Sequence, residues 1–287
     1  MFRMIFVAML IVMTGCASPL VKRPAANDVK KIAFISVYSN ASIYDIKNAK
    51  KTDTLNILGK VINGNDNIND ENVQLSTFAL KHYSEHLSTK QWEVVNPSEI
   101  LKHQAYKNFV SDAKGDGVLG FLNKLESASW AVPPGMVYFP YEAVVNKPGP
   151  YQLGRLPKQK SRELLAQLSK QLGVDGVGIV YVDLAYKKPF MSMSGGILGM
   201  GRGSAIPQIS SEMVVVNSKG EIALQTSPVI KGGGERFKSE DKAPMLINGR
   251  VVLTGEEGQE AIGAFSEAIK KNAKAMKVKI NKELTKS

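Results

Sequence analysis

Two histidines and a glutamate stand within five residues in the stretch HYSEH: His82, Glu85 and His86. This is the H-x-x-E-H order, and imidazoles four residues apart on a helix reach one zinc ion from one face. The chemistry would be metal-dependent hydrolysis. A third ligand is needed, and Glu163, at the head of a later helical segment, is the candidate. A structural reading competes. Both histidines flank the apolar stripe of a short helix, where partly buried imidazoles are common.

Other side chains invite ligand chemistry less strongly. NGNDNINDE, Asn63 to Glu71, clusters oxygens suited to calcium. Ile68 stands where an EF-hand loop needs a ligand and the glycine is misplaced, so a solvated turn is the better reading. Met191, Met193 and Met200 offer thioethers for Cu(I), with no histidine nearby to complete a set. The five glycines of MSMSGGILGMGRG are not followed by Gly-Lys-Ser/Thr, so they make no phosphate loop. This stretch reads as an apolar, backbone-exposed loop that docks on a partner, inserts at a membrane or orders on assembly, with Arg202 at its end. It lacks the alternation of a membrane strand, which argues against a pore. No serine sits in a G-x-S-x-G elbow. The aromatics Trp130, Tyr138, Phe139, Tyr141 and Tyr151 share a segment with six prolines, Trp130 to Pro157. They suit a sugar or a protein partner, or alternatively the covering of a sheet edge. No cofactor and no catalytic function are expected.

The remaining reactive group is Cys16, the only cysteine. It follows Arg3 and an apolar run of about ten residues, Met4 to Met13, then Thr14 and Gly15. That run suits a signal-peptide core and is too short to span a bilayer, which takes about 20 residues. The segment resembles the lipobox of bacterial lipoproteins, with Met13 where leucine is usual. The resemblance implies a thioether-linked diacylglycerol on Cys16, cleavage just before it and acylation of the new amine. Two or more acyl chains make a stable anchor. Ala17 stands where an aspartate would signal retention at the inner membrane, which implies the periplasmic face of the outer membrane. A cleaved secretion signal with a chance thiol is the alternative.

The chain of 287 residues carries a net charge of +11. Behind such a signal, nucleic acid is not expected as a partner. Anionic lipid, cell wall or plain solubility account for the charge.

The pattern predicts a signal peptide (1–15), a lipid-anchored flexible linker (16–30) and one α/β domain (31–287). KKIAFISVYS predicts a buried strand from Ile32 to Val37, and Leu75 to Leu87 a helix. WEVVNP predicts a strand stopped by Pro97. The pattern weakens over 103–160, with a short helix suggested at Val118 to Leu125. Ser161 is the N-cap candidate of a helix through Leu172, ended by Gly173. A central strand follows from Gly176 to Tyr186, then a hairpin turning at Asn217 to Gly220. Asn248 and Gly249 suggest a further small hairpin. Gln259 to Leu284 predicts a long amphipathic helix with Ile262, Phe265, Ile269, Ala273, Met276 and Ile280 as its seam. Early strands alternate with helices and later ones pair, which implies a mixed sheet packed by helices.

That order, carried by Ile32–Val37, Ser161–Tyr186, Glu212–Val229 and Gln259–Leu284, resembles a group of envelope lipoproteins. The group includes the curli-secretion lipoprotein CsgG and the penicillin-binding-protein activator LpoB, with domains like the amino-terminal domain of TolB. The resemblance implies binding and assembly in the envelope: a secretion complex, a cell-wall synthase, or copies of the chain itself.

Overall fold

KKIAFISVYS and GVDGVGIVYVDLAY become the two central strands. β1 (Leu20–Val21) precedes them at a sheet edge; β2 (Lys31–Asn40) and β6 (Gly176–Lys187) pair in parallel, from Ile32 beside Gly176 to Ser39 beside Val182. The structure, a computed structural model, describes residues 20–40, 43–45, 70–114, 130–145, 158–187, 203–226, 236–245 and 255–285. β7 (Gly203–Asn217) runs antiparallel to β6 over the whole of that strand and turns into β8 (Ile222–Gln225). β1 adds to the outer edge of β8, and β4 (Glu93–Val94) lies parallel to the start of β2. The order across the sheet is β1-β8-β7-β6-β2-β4. Four short strands extend it: β3 (Tyr44–Asp45), β5 (Trp130–Ala131), β9 (Phe237–Lys238) and β10 (Ala243–Met245). The expected mixed sheet covered by helices is what the chain forms.

Helices cover both faces, which is why the central strands are almost continuously apolar. α1 (Asp70–His86) and α5 (Gly255–Leu284) lie on one face. α2 (Pro97–Lys102), α3 (Gln104–Lys114) and α4 (Lys158–Leu172) lie on the other, with a short 3₁₀ turn at Tyr141–Ala143. The expected seam of α5 is completely packed: Ile262, Phe265, Ile269, Ala273, Met276 and Ile280 are all buried against α1 and the sheet. Gly173 ends α4 at φ +66°, and Val174 N–H reaches back to Ser169 O, a closing turn that a side chain at that φ would strain.

Alternation along β2 changes phase midway. Ile32 and Phe34 face α1 and α5, whereas Ala33 and Ile35 face the other layer. A bulge between Phe34 and Ser36 then sends Val37 to the α1 side and Tyr38 to the opposite one. Phe34 fills the space above Gly178: a Cβ there would sit 2.7 and 2.8 Å from two of its ring carbons. Gly178→Ala is therefore expected to cost about 1–3 kcal/mol by overpacking, read as a lower urea midpoint with an unchanged slope.

The structure departs from the sequence reading at four places. Residues 20–30 already belong to the packed body: Ala25, Ala26 and Val29 are buried, and Arg23 Nη2 donates to Leu284 O at 2.8 Å. The expected flexible linker of 16–30 is thus mostly part of the packed domain. Pro97 opens a helix as well as closing a strand, because Asn96 Oδ1 caps the Ser98 N–H at 3.0 Å. The weakly patterned stretch after His103 holds α3, whose Tyr106, Phe109 and Ala113 are buried at helical spacing. Ser161 lies inside α4, not at its cap, since the helix starts at Lys158.

Candidate functional site

The sequence candidates divide between three places. Cys16, Asn63–Asn69, Val118–Leu125, Tyr151, Met191, Met193, Met200, Arg202, Gly232–Gly234 and Asn248–Gly249 lie outside the described residues. The flanks of the Met/Gly stretch, Lys187 and Gly203, stand at the end of the sheet where parallel strands β2 and β6 finish.

The aromatic segment folds onto the sheet. Trp130–Ala131 pairs antiparallel with Ser39–Asn40. Phe139 N–H donates to Ser36 Oγ and Tyr141 N–H to Tyr38 Oη, both at 3.0 Å. Tyr141 Oη donates to Thr226 O at 2.9 Å. Tyr138, Phe139 and Tyr141 are buried, and Trp130 is half-buried, its ring stacked on Tyr138 at 5.8 Å. Partner contact through Tyr138, Phe139 and Tyr141 is corrected by that burial: they serve as the cover of the sheet. Beyond the paired Trp130–Ala131, the N–H groups of Phe139 and Tyr141 are thus satisfied by side chains of β2.

The third place is the face of α1 that meets α5. Asp70 and Glu71 begin α1 where acidic side chains favour the helix dipole, and Leu75, Ala79 and Tyr83 bury its stripe. His82 and His86 fall one turn apart beside that stripe, with parallel rings 6.0 Å between centroids. His82 Nε2 lies 3.2 Å from Ser266 Oγ on α5. Glu85 Oε2 is 3.8 Å from His82 Nδ1. One ligand atom from each of His82, Glu85 and His86 lies within 4.8 Å of the others. Two of these nitrogens, His82 Nδ1 and His86 Nε2, are buried without a hydrogen-bond partner.

The electrostatics pull both ways. Burial lowers the basicity of both imidazoles; Lys274, Lys270 and Lys277 lower that of His86 further, Lys81, Lys270 and His86 that of His82, and Glu85 opposes both shifts. Neutral imidazoles are competent ligands, and a Ser266 contact to Nε2 leaves Nδ1 of His82 for a metal. The same ammonium groups repel a dication. Glu163 cannot complete the set: it sits on α4, across the sheet, and accepts from Gln159 Nε2 at 2.9 Å. Glu85 can serve as the third ligand, but then it is not free to act as a base.

Two outcomes follow for this pair. Metal analysis of the purified protein is expected to show no stoichiometric zinc; one zinc per chain, lost on His82→Ala, would establish the metal reading. The unfolded histidines titrate near 6.5 and the folded ones lower. Between those values the unfolded chain binds more protons, so stability falls as pH drops through 6.5. Thermal unfolding in a pH series from 7.5 to 5 is expected to show that fall, and His82→Gln/His86→Gln to flatten it.

Beside the histidines the α1–α5–β7 contact holds a buried polar node that the sequence reading did not find. Asn272 Oδ1 accepts from Tyr83 Oη and from Ser211 Oγ, each at 2.5 Å. All three side chains are buried, and burial raises the Tyr83 hydroxyl well above the usual tyrosine range. The only signal in the sequence is an asparagine within the seam of an otherwise apolar helix face.

A scan against protein-family models finds no match, and a search of curated proteins finds no relative.

Proposed function

We propose that this chain is a lipoprotein of the outer membrane, facing the periplasm, that works by binding and assembly and not by catalysis. The observation that carries this reading is Cys16, the only thiol, set directly behind a short apolar run and Thr14-Gly15. Lipidation explains both the run and the single cysteine. Its likeness to the CsgG, LpoB and TolB-amino-terminal group points to an envelope protein, or a second copy of itself, as the partner. The fold fits such a role: a rigid mixed sheet sealed by helices on both faces. Among the described residues no helix is long and apolar enough to cross a membrane.

Met191, Met193, Met200 and Arg202 remain the proposed contact residues, with Trp130 at the sheet margin. Growth in labelled palmitate tests the anchor, since a wild-type chain that stays unlabelled ends the reading. Crosslinking in living cells tests the partner: an envelope protein or a self-adduct captured from positions 191–202 supports it. A metal-dependent hydrolase built on His82, Glu85 and His86 is the second reading. It is favoured by the two unpartnered imidazole nitrogens and is decided by the zinc analysis above.

A further inference from the structure

The chain enters the body beside a basic hollow. Lys22 and Arg23, just past β1, Arg162 of α4, and Lys219 and Glu221 of the β7–β8 turn line a depression of about 400 Å³. Four of these side chains are cationic and one is a carboxylate. Glu221 is engaged within the turn, where its Oε2 accepts from Asn217 Nδ2 at 2.9 Å. Lys219 pairs with Asp28 at 2.6 Å, yet both side chains are more than half exposed, so the pair is easily exchanged for another anion. Arg162 is fixed in the wall by a backbone carbonyl, its Nε donating to Val144 O at 2.9 Å, while Arg23 Nη2 is held at the end of α5, donating to Leu284 O at 2.8 Å. These two bonds hold the guanidinium groups without neutralising them. The side chain of Lys22 is exposed and has no partner among the described residues.

We propose that this hollow holds the phosphate of an anionic lipid headgroup, an inference that rests on the anchored reading of Cys16. Six residue steps separate Cys16 from Lys22. A fully extended chain covers about 20 Å in that distance, so a lipidated Cys16 keeps the hollow close to the headgroup layer. Arginine and lysine together suit a phosphate, the first by its planar fork and the second as a point charge. The headgroup thereby sets the orientation of the domain on the membrane. The end of the sheet that carries the β7–β8 turn lies down, and the opposite end of β6 and β7, at Lys187 and Gly203, is kept free for a partner.

The test uses full-length protein in a phosphate-free, non-ionic detergent. It is titrated with dioctanoyl phosphatidylglycerol, dioctanoyl phosphatidylcholine, inorganic phosphate and soluble peptidoglycan fragments. Binding is expected for phosphatidylglycerol alone, weakening as salt is raised. Lys22→Gln and Lys219→Gln, both at exposed positions, should each weaken it about fivefold; Arg162→Gln should act in the same direction. The double lysine variant keeps the test open if Arg162→Gln fails to fold. Equal affinity for phosphatidylcholine, a preference for free phosphate or for peptidoglycan fragments, or unchanged binding by the lysine variants overturns the proposal. Palmitate labelling of the same proteins separates the two claims: an unlabelled wild type removes the anchor, while the titration still reports on the hollow.

Discussion

A chain carrying Cys16→Ser is expected to leave the membrane fraction of cells almost completely, or to persist there only as the longer, uncleaved precursor. The thioether needs the sulfur, and a hydroxyl does not replace it. Each buried methylene contributes about 0.8 kcal/mol, so losing two or three acyl chains removes far more binding than the basic surface can supply. The expected pattern is therefore all-or-none in palmitate label and, for the processed chain, in fractionation, with the fold of the described body, from Leu20 onward, unchanged. Circular dichroism of the variant checks the fold. Unaltered fractionation of a processed Cys16→Ser chain would remove the basis for placing the protein at a membrane face.

Asn272→Leu is expected to be the most destabilising substitution of a polar side chain. Leucine fills a similar volume but accepts no hydrogen bond. The hydroxyls of Tyr83 and Ser211, both buried, then lose their shared acceptor. The two hydroxyls also lie within hydrogen-bonding reach of each other, so one donor is left stranded, at a cost of about 1–3 kcal/mol, a large share of a typical domain's stability. Urea unfolding reads this as a lower midpoint. Removing both hydroxyls as well, in Tyr83→Phe/Ser211→Ala/Asn272→Leu, should recover much of the loss, because an apolar contact of similar shape leaves nothing unpaired. A single-variant loss below about 1 kcal/mol, or no recovery in the triple variant, would show that the three groups do not act as one node.

The node also explains the register of the layer. Tyr83 comes from α1, Ser211 from β7 and Asn272 from α5, so one oxygen fixes three elements relative to one another. Apolar side chains such as Ile269 and Met276 supply most of the burial but tolerate sliding; a three-way hydrogen bond does not. The histidine pair lies on the same contact: His82, next to Tyr83 on α1, meets Ser266 of α5, and His86 follows one turn on. Acidification therefore acts on the contact that Asn272 holds in place.

Periodicity alone determined much of this protein. The apolar run of β2, the long strand β6, the β7–β8 hairpin and the seam of α5 are each visible as local patterns, because burial on one or two faces imposes a period on the sequence. The helix stop at Gly173 was legible for the same reason: its requirement is local. The lipidation proposed at Cys16 likewise rests on a local run of residues and not on the fold.

Tertiary structure decided the rest. Pro97 reads as the end of a strand until Asn96 is seen capping the helix behind it. In the sequence Tyr138, Phe139 and Tyr141 suit either a partner or the cover of a sheet edge; the bonds of Phe139 and Tyr141 to Ser36, Tyr38 and Thr226 and the burial of all three place them on the sheet. Glu163 and the histidines fall on opposite faces of the sheet, which no spacing along the chain reveals. Lys22, Arg162 and Lys219 converge from segments about 140 and 200 residues past the first of them. Local periods record which way a side chain faces; which distant side chain it meets depends on strand order and helix packing, and that information is spread over the whole chain.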